Sequence, residues 1–328
     1  MGLHLMTPTF FVTRQIPQAG LAHLAQAGTV RVNPHDRQLS TEELITLGGE
    51  AAGWITMLTD VISEALLERC PQLRAIANYA VGFNNIDIAA CTRRRIGVSN
   101  TPEVLTDATA ELTWALILAC ARRVVEADGW LRRGLWRGWQ PLEFLGTQIT
   151  GQVLGLIGAG RIAMRVAEMS RGFHMPIQYT ARHPNPDLEK RLAARRVPLE
   201  ELLAQADVIS IHVPLTESTR HLLGSGQLRL LKPPAILINT ARGPVVDEAA
   251  LLEALRQRSF GAAGLDVYEN EPRLTPGLAE LPNVVLLPHL GSATTETRTR
   301  MALLAAKNLI AMVQGRRPPN PLNSQLWP

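Results

Sequence analysis

Three charged or titratable residues follow apolar runs of strand length in the second half of the chain. Arg242 comes soon after the run that ends at Asn239, and Glu271 and His289 follow two later runs. Ligands of an open parallel sheet bind at the carboxyl ends of its strands, so we expect the three side chains to meet at one edge. A guanidinium, a carboxylate and an imidazole together can bind an anion and move a proton. The pattern therefore predicts an acid–base site for an anionic substrate.

A glycine-rich turn upstream of these residues fits the pattern G-x-G-x-x-[GA]. It runs from Gly158 to Ala163, after a strand-like run and before a helical pattern. Gly158 permits a tight turn, and Gly160 lets the backbone approach a pyrophosphate at the N-terminus of a helix that begins near Arg161. An ordinary strand–helix connection is the alternative. The flanking strand and helix favour a dinucleotide site, and with it an oxidoreductase.

The residues that follow the next strand bear on which dinucleotide binds. An NAD-specific fold places an acidic residue there, about 20 positions beyond the turn, to hold the ribose 2′-hydroxyl group. This chain has Thr180 instead, followed by Arg182 and His183. A carboxylate would repel a 2′-phosphate, whereas these side chains can receive it. The sequence therefore predicts NADP(H) as the preferred cofactor and NAD(H) as the second choice, unless Arg182 is merely an exposed arginine.

The histidine is the residue best suited to proton transfer near neutral pH. A neighbouring carboxylate would raise the pKa of His289 and keep it protonated, and Glu271 is the candidate partner. A protonated His289 could donate to a carbonyl oxygen as hydride reaches the carbon, which favours reduction. Arg242 could hold a carboxylate in bidentate fashion and orient the adjacent carbonyl group. Each residue alone could be structural, and their combination favours catalysis.

A fourth candidate lies in the first part of the chain, in the stretch Asn78–Asp87. A turn built on Gly82 directly before a helix offers the backbone N–H groups of Val81 and Gly82 as a small anion-binding nest. A substrate carboxylate bound there would leave its 2-keto group facing His289. The alternative is a plain strand–helix turn.

The bulk composition is that of an ordinary globular enzyme. The chain has 328 residues, of which 46% are hydrophobic and 19% charged, and this length predicts about two domains. The net charge of +4 comes without a basic motif, so nucleic acid is not an expected partner. Three cysteines without ligand spacing predict buried thiols, a reducing compartment and no metal. With no recognisable signal peptide or membrane span, we expect a cytoplasmic protein without a membrane partner.

Strand-like and helical patterns alternate along both parts of the chain, which predicts parallel strands joined by right-handed crossovers. The expected strands are Thr9–Thr13, Gly53–Met57, Arg74–Asn78, Ile96–Ser99, Gln152–Ile157, Pro176–Thr180, Asp207–Val213, Ala235–Asn239, Gly261–Val267 and Val284–Leu287. The expected helices are Gln18–Ala27, Thr41–Gly49, Ser63–Arg69, Asn85–Arg94, Arg161–Arg171, Pro198–Gln205, Gln227–Leu231, Asp247–Gln257 and Ala293–Gln314. The stretch Glu103–Arg133 is predicted to form one long helix that leads into a tryptophan-containing arm.

These motifs together resemble those of the D-isomer-specific 2-hydroxyacid dehydrogenases. The resemblance covers roughly residues 50–320, with the motifs in the family's order. It rests on Asn78–Asp87, Asn100–Pro102, Leu105–Leu112, the glycine turn, Asn239–Gly243, Glu271-Pro272 and Pro288–Thr294. Within the family, the chain is most similar to the glyoxylate/hydroxypyruvate reductases.

The resemblance implies a role for each matching residue. The catalytic residues would be Arg242, Glu271 and His289, with the histidine as proton donor. The substrate-binding residues would be Leu58, Thr59, Val81, Gly82, Arg242 and His289. The cofactor-binding residues would be Thr109, Gly158, Gly160, Arg161, Ile162, Thr180, Arg182, His183, Val213, Pro214, Thr240, Ala241, Asp266 and Gly291. Thr109 would lie near the nicotinamide and Asp266 near its carboxamide.

The family also implies an α/β fold of two doubly wound parallel-sheet domains, a Rossmann-type cofactor domain inserted into a flavodoxin-like substrate domain. Residues 1–100 and 291–328 would form the substrate domain, and residues 101–290 the NAD(P)-binding domain. Closure of the cleft would exclude water from hydride transfer. The region Glu103–Gln148 resembles the family's dimerisation arm, which implies a homodimer. The expected reaction is the reduction of glyoxylate or hydroxypyruvate by NADPH to glycolate or D-glycerate.

Several other interpretations compete with this one. Formate dehydrogenases pair the histidine with glutamine, whereas this chain has Glu271, and phosphite dehydrogenase has a lysine at the position of Asn78. Phosphoglycerate dehydrogenases commonly carry a regulatory C-terminal extension, which is not expected here. A broad 2-ketoacid reductase remains the serious alternative. Outside the enzymes, a dinucleotide-sensing transcriptional co-repressor would use the same fold.

Overall fold

The structure, a computed structural model, describes residues 7–327 of the chain. The chain divides into two compact units. The split unit consists of the residues up to Leu105 together with those from Ser292 onward, and the central unit is Thr106–Gly291. Each unit is built on a parallel β-sheet, which confirms the predicted α/β class.

In its described residues, the split unit has five strands and five α-helices. The strands are β1 Thr9–Val12, β2 Thr29–Val32, β3 Gly53–Thr56, β4 Ala75–Asn78 and β5 Gly97–Ser99. The helices are α1 Gln18–Ala25, α2 Thr41–Gly48, α3 Glu64–Glu68, α4 Ile88–Arg93 and α12 Thr295–Val313. The strand order β2-β1-β3-β4-β5 is that of a flavodoxin-like sheet, as the resemblance implied.

Local sequence accounts for where these elements begin. Ser40 starts α2 with a capping box, because its hydroxyl accepts from the Glu43 N–H and the Glu43 carboxylate accepts from the Ser40 N–H. Ser63 caps α3 with its hydroxyl alone, which accepts from the Leu66 N–H. Strand β2 is absent from the expected strands because it is an edge strand whose polar Thr29 and Arg31 hide the apolar signal.

The central unit has seven strands and seven α-helices. The strands are β6 Leu154–Ile157, β7 Ile177–Thr180, β8 Arg195–Arg196, β9 Val208–Ile211, β10 Ile236–Asn239, β11 Ala262–Leu265 and β12 Val284–Leu286. The helices are α5 Thr106–Ala121, α6 Val124–Arg132, α7 Arg161–Met169, α8 Pro186–Leu192, α9 Leu199–Gln205, α10 Ser225–Leu228 and α11 Glu248–Arg256. The strand order β12-β11-β10-β9-β6-β7-β8 is the Rossmann order with one strand added at the β12 edge.

The prediction of one long helix over Glu103–Arg133 is wrong. The chain forms α5 and α6 instead, separated at Arg123, whose φ of 53° lies in the left-handed region. The Arg123 guanidinium pairs locally with Glu126 and lies over the ring of the more distant Phe144, and these two contacts stabilise the break. Short elements were also missed: β8 consists of two exposed arginines, and α8 begins at a proline that signals a turn as readily as a helix.

Helix α5 buries most of its surface and leaves one exposed stripe, formed by Asp107, Glu111, Ala115 and Leu118. On its buried side, the Trp114 indole stacks on Phe173 and donates to the Val166 carbonyl at 3.1 Å. Gly264 of β11 lets α5 approach closely, since a Cβ atom there would lie 3.1 Å from Leu116 Cβ. Within residues 7–327, no helix is both long and apolar enough to span a bilayer.

The split unit is completed by the chain's return through α12 and its tail. Asn323, which is 1% exposed, accepts from the Val98 N–H at 2.9 Å and donates to the Ile96 carbonyl at 2.8 Å. Together with the Leu322 N–H, which donates to the Val98 carbonyl at 2.8 Å, this side chain covers the open edge of β5.

We expect Asn323→Ala to lower the free energy of unfolding by about 2–4 kcal/mol, because it leaves a buried donor and a buried acceptor without partners. Asn323→Asp should not restore stability, since its second oxygen would face the Ile96 carbonyl. The measurement is chemical denaturation, with the exposed neighbour Ser324→Ala as the control. Equal stability of the Asn323→Ala and Ser324→Ala proteins would contradict this account.

Candidate active site

Arg242 lies just beyond β10, at the carboxyl edge of the central sheet. The buried Asn239 shapes this loop: its amide donates to the Arg242 carbonyl at 2.9 Å, and its oxygen accepts from the Ala241 N–H at 3.0 Å. Burial lowers the pKa of the Arg242 guanidinium, while the charge of Glu271 opposes that shift. An arginine remains charged at neutral pH in either case, so the loop presents a fixed, half-buried cation.

A close backbone contact joins this loop to the loop that follows β11. A Cβ atom on Gly243 would lie 1.9 Å from the carbonyl carbon and oxygen of Tyr268. No larger residue fits without separating the two loops. The contact thereby brings the segment that carries Glu271 against the segment that carries Arg242.

The segment around Glu271 is also held by α11. The Glu248 carboxylate, 3% exposed, accepts from the Glu269 N–H at 3.0 Å and from the Thr275 hydroxyl at 2.5 Å. In return, the Glu269 carboxylate accepts from the Glu248 N–H and pairs with His221 at 2.6 Å. Sequence reasoning did not identify this network, whose only local signal is an acidic residue in the first turn of a helix.

The predicted pair of Glu271 and His289 is formed. The His289 Nδ1 atom lies 3.0 Å from one Glu271 oxygen, and the Tyr268 N–H donates to the other oxygen at 3.0 Å. Burial acts to raise the pKa of Glu271, but the hydrogen bond and charge of His289, the Tyr268 N–H and the charge of Arg242 outweigh it, so the pKa falls below 4.5. Glu271 is therefore a carboxylate near neutral pH, ready to pair with an imidazolium.

The backbone of His289 lies in the left-handed region, with a φ of 56°. This conformation costs a residue other than glycine roughly 1–2 kcal/mol. The buried Asp266 carboxylate offsets that cost, because it accepts from the Leu290 N–H at 2.6 Å and from the Gly291 N–H at 2.8 Å. Burial raises the pKa of Asp266, and the two N–H groups and the charge of His289 counteract the shift.

Thr109 completes this corner of the site from the first turn of α5. Its hydroxyl donates to the Gly291 carbonyl at 3.0 Å. Within the central unit, Gly291 is thus bonded to two other residues predicted to contact the cofactor, Thr109 and Asp266.

The glycine turn follows β6, and its geometry fits a dinucleotide. Gly158 has a φ of 108°, and a Cβ atom there would lie 2.7 Å from the His212 carbonyl oxygen, so only glycine fits. Gly160 is the N-cap of α7, and a Cβ atom there would point into open space above the helix N-terminus. A pyrophosphate can therefore approach the free N–H groups of the first turn, where Arg161 and Ile162 lie.

The loop after β9 carries Val213 and Pro214 along the same edge, next to a histidine that sequence reasoning missed. Ser210 Oγ lies 2.9 Å from Nε2 of His212. Burial lowers the pKa of His212 to about 3, so its ring is neutral at physiological pH. Further along this edge, the Thr240 hydroxyl lies 3.0 Å from that of Thr113, which anchors the β10 loop to α5.

The loop after β7 contains the residues predicted to receive a 2′-phosphate. Thr180 is the last residue of the strand, and Arg182 and His183 are exposed. In the part of the chain that the structure describes, neither of these two exposed side chains forms a hydrogen bond or ion pair. The guanidinium of Arg182 and the imidazole of His183 are therefore both available to bind a ligand.

The remaining candidates lie in the split unit. Leu58 is half-buried and Thr59 exposed, in a loop held by the buried Asp60, whose carboxylate accepts from the Met57 N–H at 2.8 Å. The carbonyl groups of Val81 and Gly82 each accept from an asparagine side chain, from Asn100 at 2.7 Å and from Asn78 at 2.8 Å respectively. These two bonds fix the turn that was predicted as an anion nest.

Metal-ligating side chains do not cluster in residues 7–327, where no group of three or more histidines, cysteines or carboxylates could hold an ion. The three cysteines are free and buried.

A Rossmann sheet with a dinucleotide turn and a histidine–carboxylate pair at its carboxyl edge defines a nicotinamide-dependent oxidoreductase. Residues 114–291 match the model of the D-isomer specific 2-hydroxyacid dehydrogenase NAD-binding domain. The chain belongs to this family and to its class of enzymes, as the resemblance implied.

Three similar proteins illustrate the relationship. The chain is 49% identical to a glyoxylate reductase from Aeropyrum pernix over 97% of both chains, and 47% identical to one from Thermococcus litoralis over 98% of both. Among solved structures, an NADPH-dependent glyoxylate/hydroxypyruvate reductase from Sinorhizobium meliloti, in complex with NADP and malonate, superposes with a TM-score of 0.87. That enzyme is 31% identical to this chain, and the match covers 98% of each.

Gly243→Ala tests the contact between the Arg242 and Glu271 loops. We expect it to prevent folding of the central unit or to lower the free energy of unfolding by about 3 kcal/mol, since its methyl group would overlap the Tyr268 backbone. The matched control is Gly226→Ala in α10, where a Cβ atom meets nothing within 4 Å. Both are measured by chemical denaturation, and equal stability of the two variants would show that the contact is not needed.

Glu271→Gln tests the pKa assigned to the carboxylate. A folded-state pKa below 4.5 means that ionised Glu271 stabilises the fold above that value, and that this contribution is lost as the pH falls through the lowered pKa. We therefore expect the wild type to exceed the variant in unfolding free energy at about pH 5–6. The difference should shrink below about pH 4.5, measured by denaturation at each pH. A difference that grows on acidification would show that the pKa is raised instead.

Proposed function

We propose that this protein is a reductase of small 2-oxo acids that uses NADPH to convert glyoxylate or hydroxypyruvate into glycolate or D-glycerate. The observation that carries the proposal is the 3.0 Å contact between His289 and Glu271 at the sheet edge where Arg242 also lies. The names of the similar proteins support the substrate class.

In the proposed reaction, His289 transfers the proton. Its Nδ1 atom faces Glu271, which leaves Nε2 to face the substrate carbonyl oxygen. The Glu271 carboxylate stabilises the imidazolium and fixes the orientation of its ring. The His289 proton passes to the carbonyl oxygen as the carbonyl carbon is reduced, and the histidine is left neutral beside the carboxylate. When bound, NADPH supplies the hydride that the carbon receives.

Arg242 orients the substrate. Its guanidinium can bind one carboxylate oxygen and the 2-keto oxygen together, which polarises the carbonyl group and restricts the substrate to acids with an adjacent keto group. We assign the N–H groups of Val81 and Gly82 to the carboxylate as well, and Leu58 and Thr59 to the pocket wall. The split unit is accordingly proposed as the substrate domain.

The central unit is proposed as the cofactor domain. Gly158, Gly160, Arg161 and Ile162 would hold the pyrophosphate at the α7 N-terminus. Thr180, Arg182 and His183 would bind the 2′-phosphate, which is the basis for the proposed NADPH preference. The other proposed contacts along this edge are those of Thr109, Val213, Pro214, Thr240, Ala241, Asp266 and Gly291.

We also propose a homodimer. The segment that follows α5 exposes an unusual number of large apolar side chains, among them Trp136 at 56%, Trp139 at 84%, Leu142 at 80% and Leu145 at 64%. A contiguous exposed apolar segment of this kind indicates a protein interface. Light scattering coupled to size-exclusion chromatography should give twice the chain mass of 35.9 kDa.

The function is tested by following NADPH and NADH oxidation at about 340 nm, the nicotinamide absorbance band, with glyoxylate, hydroxypyruvate and pyruvate in parallel. Faster turnover of glyoxylate or hydroxypyruvate with NADPH than with NADH supports the proposal in full. Equal rates on all three acids would indicate a broad 2-ketoacid reductase. Cofactor binding without turnover of any acid would refute the proposed substrate class.

Arg242→Ala and His289→Asn separate binding from proton transfer. We expect Arg242→Ala to lower kcat/KM by roughly 100-fold or more through loss of charged hydrogen bonds, with cofactor affinity preserved. His289→Asn should lower kcat by roughly 10²–10⁴-fold even at saturating substrate. Steady-state kinetics and cofactor fluorescence titration provide the readouts. Near-normal kcat in the His289 variant would exclude it as the proton donor.

A further inference from the structure

The loop formed by residues 181–184, called here the 2′-phosphate loop, is held at both ends by side chains that sequence reasoning did not identify. We propose that Arg196 is a positioning residue for the choice between NADPH and NADH: its guanidinium clamps this loop in the conformation that presents Arg182 and His183 to the 2′-phosphate. The inference rests on the proposed NADPH preference and adds to it the residue that makes the loop rigid.

The clamp is formed by β8, the edge strand of the central sheet. Arg196 pairs with Tyr179 of β7 in the sheet, so its side chain starts beside the strand that leads into the loop. Its Nη2 atom donates to the Ala181 carbonyl at 2.8 Å and to the Arg182 carbonyl at 3.1 Å, and its Nε atom donates to the Ala181 carbonyl at 3.2 Å. One planar group thereby fixes two successive peptide carbonyls.

The far end of the loop is fixed by Asn185. Its Nδ2 atom donates to the Ala159 carbonyl of the glycine turn at 2.9 Å, and its backbone N–H donates to the Tyr179 hydroxyl at 2.8 Å. That hydroxyl in turn donates to Glu189 at 2.6 Å. The loop is therefore tied to the strand before it, to the helix after it and to the pyrophosphate turn beside it.

The ordering of the 2′-phosphate loop is expected to affect the binding of NADPH and not that of NADH. Arg182 and His183 are exposed, and binding a phosphate would require their segment to be ordered. A flexible loop loses conformational entropy when it becomes ordered around a ligand, and this loss weakens binding. A loop that is already ordered avoids the loss and therefore binds the ligand more tightly. NADH has no 2′-phosphate and does not use these side chains. Loosening the loop should therefore weaken NADPH selectively.

The neighbouring arginine offers a matched control. Arg195 has the same charge and lies on the same short strand, but its side chain binds Gln205 at 3.0 Å and Glu201 at 2.9 Å rather than the loop. Replacing either arginine by alanine removes one positive charge from β8. Only replacement of Arg196 removes the contacts to the Ala181 and Arg182 carbonyls.

The experiment compares the affinities of adenosine 2′,5′-bisphosphate and 5′-AMP, which differ only in the 2′-phosphate, by calorimetry on the full chain. In Arg196→Ala, we expect the ratio of the two affinities to fall by about tenfold, the effect of losing charged hydrogen bonds that order the loop. Arg196→Lys keeps the charge but not the planar fork, so its ratio should also fall. Arg195→Ala should retain the wild-type ratio. The ratio of kcat/KM for NADPH to that for NADH should follow the same order, and thermal melting confirms that each variant is folded.

The outcomes separate the clamp from the proposed cofactor preference. A wild type that binds the two nucleotides equally would refute the NADPH preference itself, and the clamp with it. If the wild type discriminates, a wild-type ratio in Arg196→Lys would show that charge alone matters and would overturn the clamp. The clamp would also be overturned if Arg196→Ala weakened the binding of both nucleotides by the same factor. The same holds if Arg195→Ala lowered the affinity ratio as much as Arg196→Ala does.

Discussion

The candidate active site depends on one buried carboxylate, that of Asp266. It stands at the end of one strand, yet it accepts the two N–H groups that follow His289 at the end of the next strand. Burial deprives the Asp266 carboxylate of hydrogen bonds from water, and the two backbone N–H groups replace them. A change in the shape of the loop after β12 would leave the buried carboxylate without these donors, which is unfavourable. The left-handed backbone of His289 and the direction of its ring toward Glu271 follow from this constraint.

The other two loops are also positioned by contacts with distant parts of the chain. Gly243 brings the Arg242 loop against the Tyr268 backbone, and Glu248 fixes the segment around Glu271 from α11. The arginine, the carboxylate and the imidazole are therefore held by interlocking contacts rather than by three independent loops. Groups held in this way lose little freedom when charge develops in a reaction, which is the condition for effective electrostatic stabilisation.

Two histidines at this sheet edge show how environment determines what the same side chain can do. His289 is 28% exposed and pairs with a carboxylate, so it can carry a proton to a ligand. His212 contacts the Ser210 hydroxyl instead, and burial lowers its pKa to about 3. It stays neutral and serves as part of the wall beside the glycine turn. The two histidines therefore differ in their neighbours and not in residue type.

The sequence by itself determined the class of fold, the dinucleotide turn and the identity of the three residues at the sheet edge. These are local properties: apolar runs alternate with helical patterns, two glycines precede a helix, and a polar residue follows each strand. Patterns of this kind failed where the local signal was weak, as in the exposed edge strands β2 and β8 and at the break at Arg123.

Only the tertiary structure decided how the site is held. Asp266 and Leu290, Gly243 and Tyr268, and Arg196 and Ala181 are each separated by 15 or more positions, and no spacing rule in the sequence pairs them. Their contacts arise because parallel strands bring distant loops to one edge of the sheet, where burial makes each unpaired polar group costly.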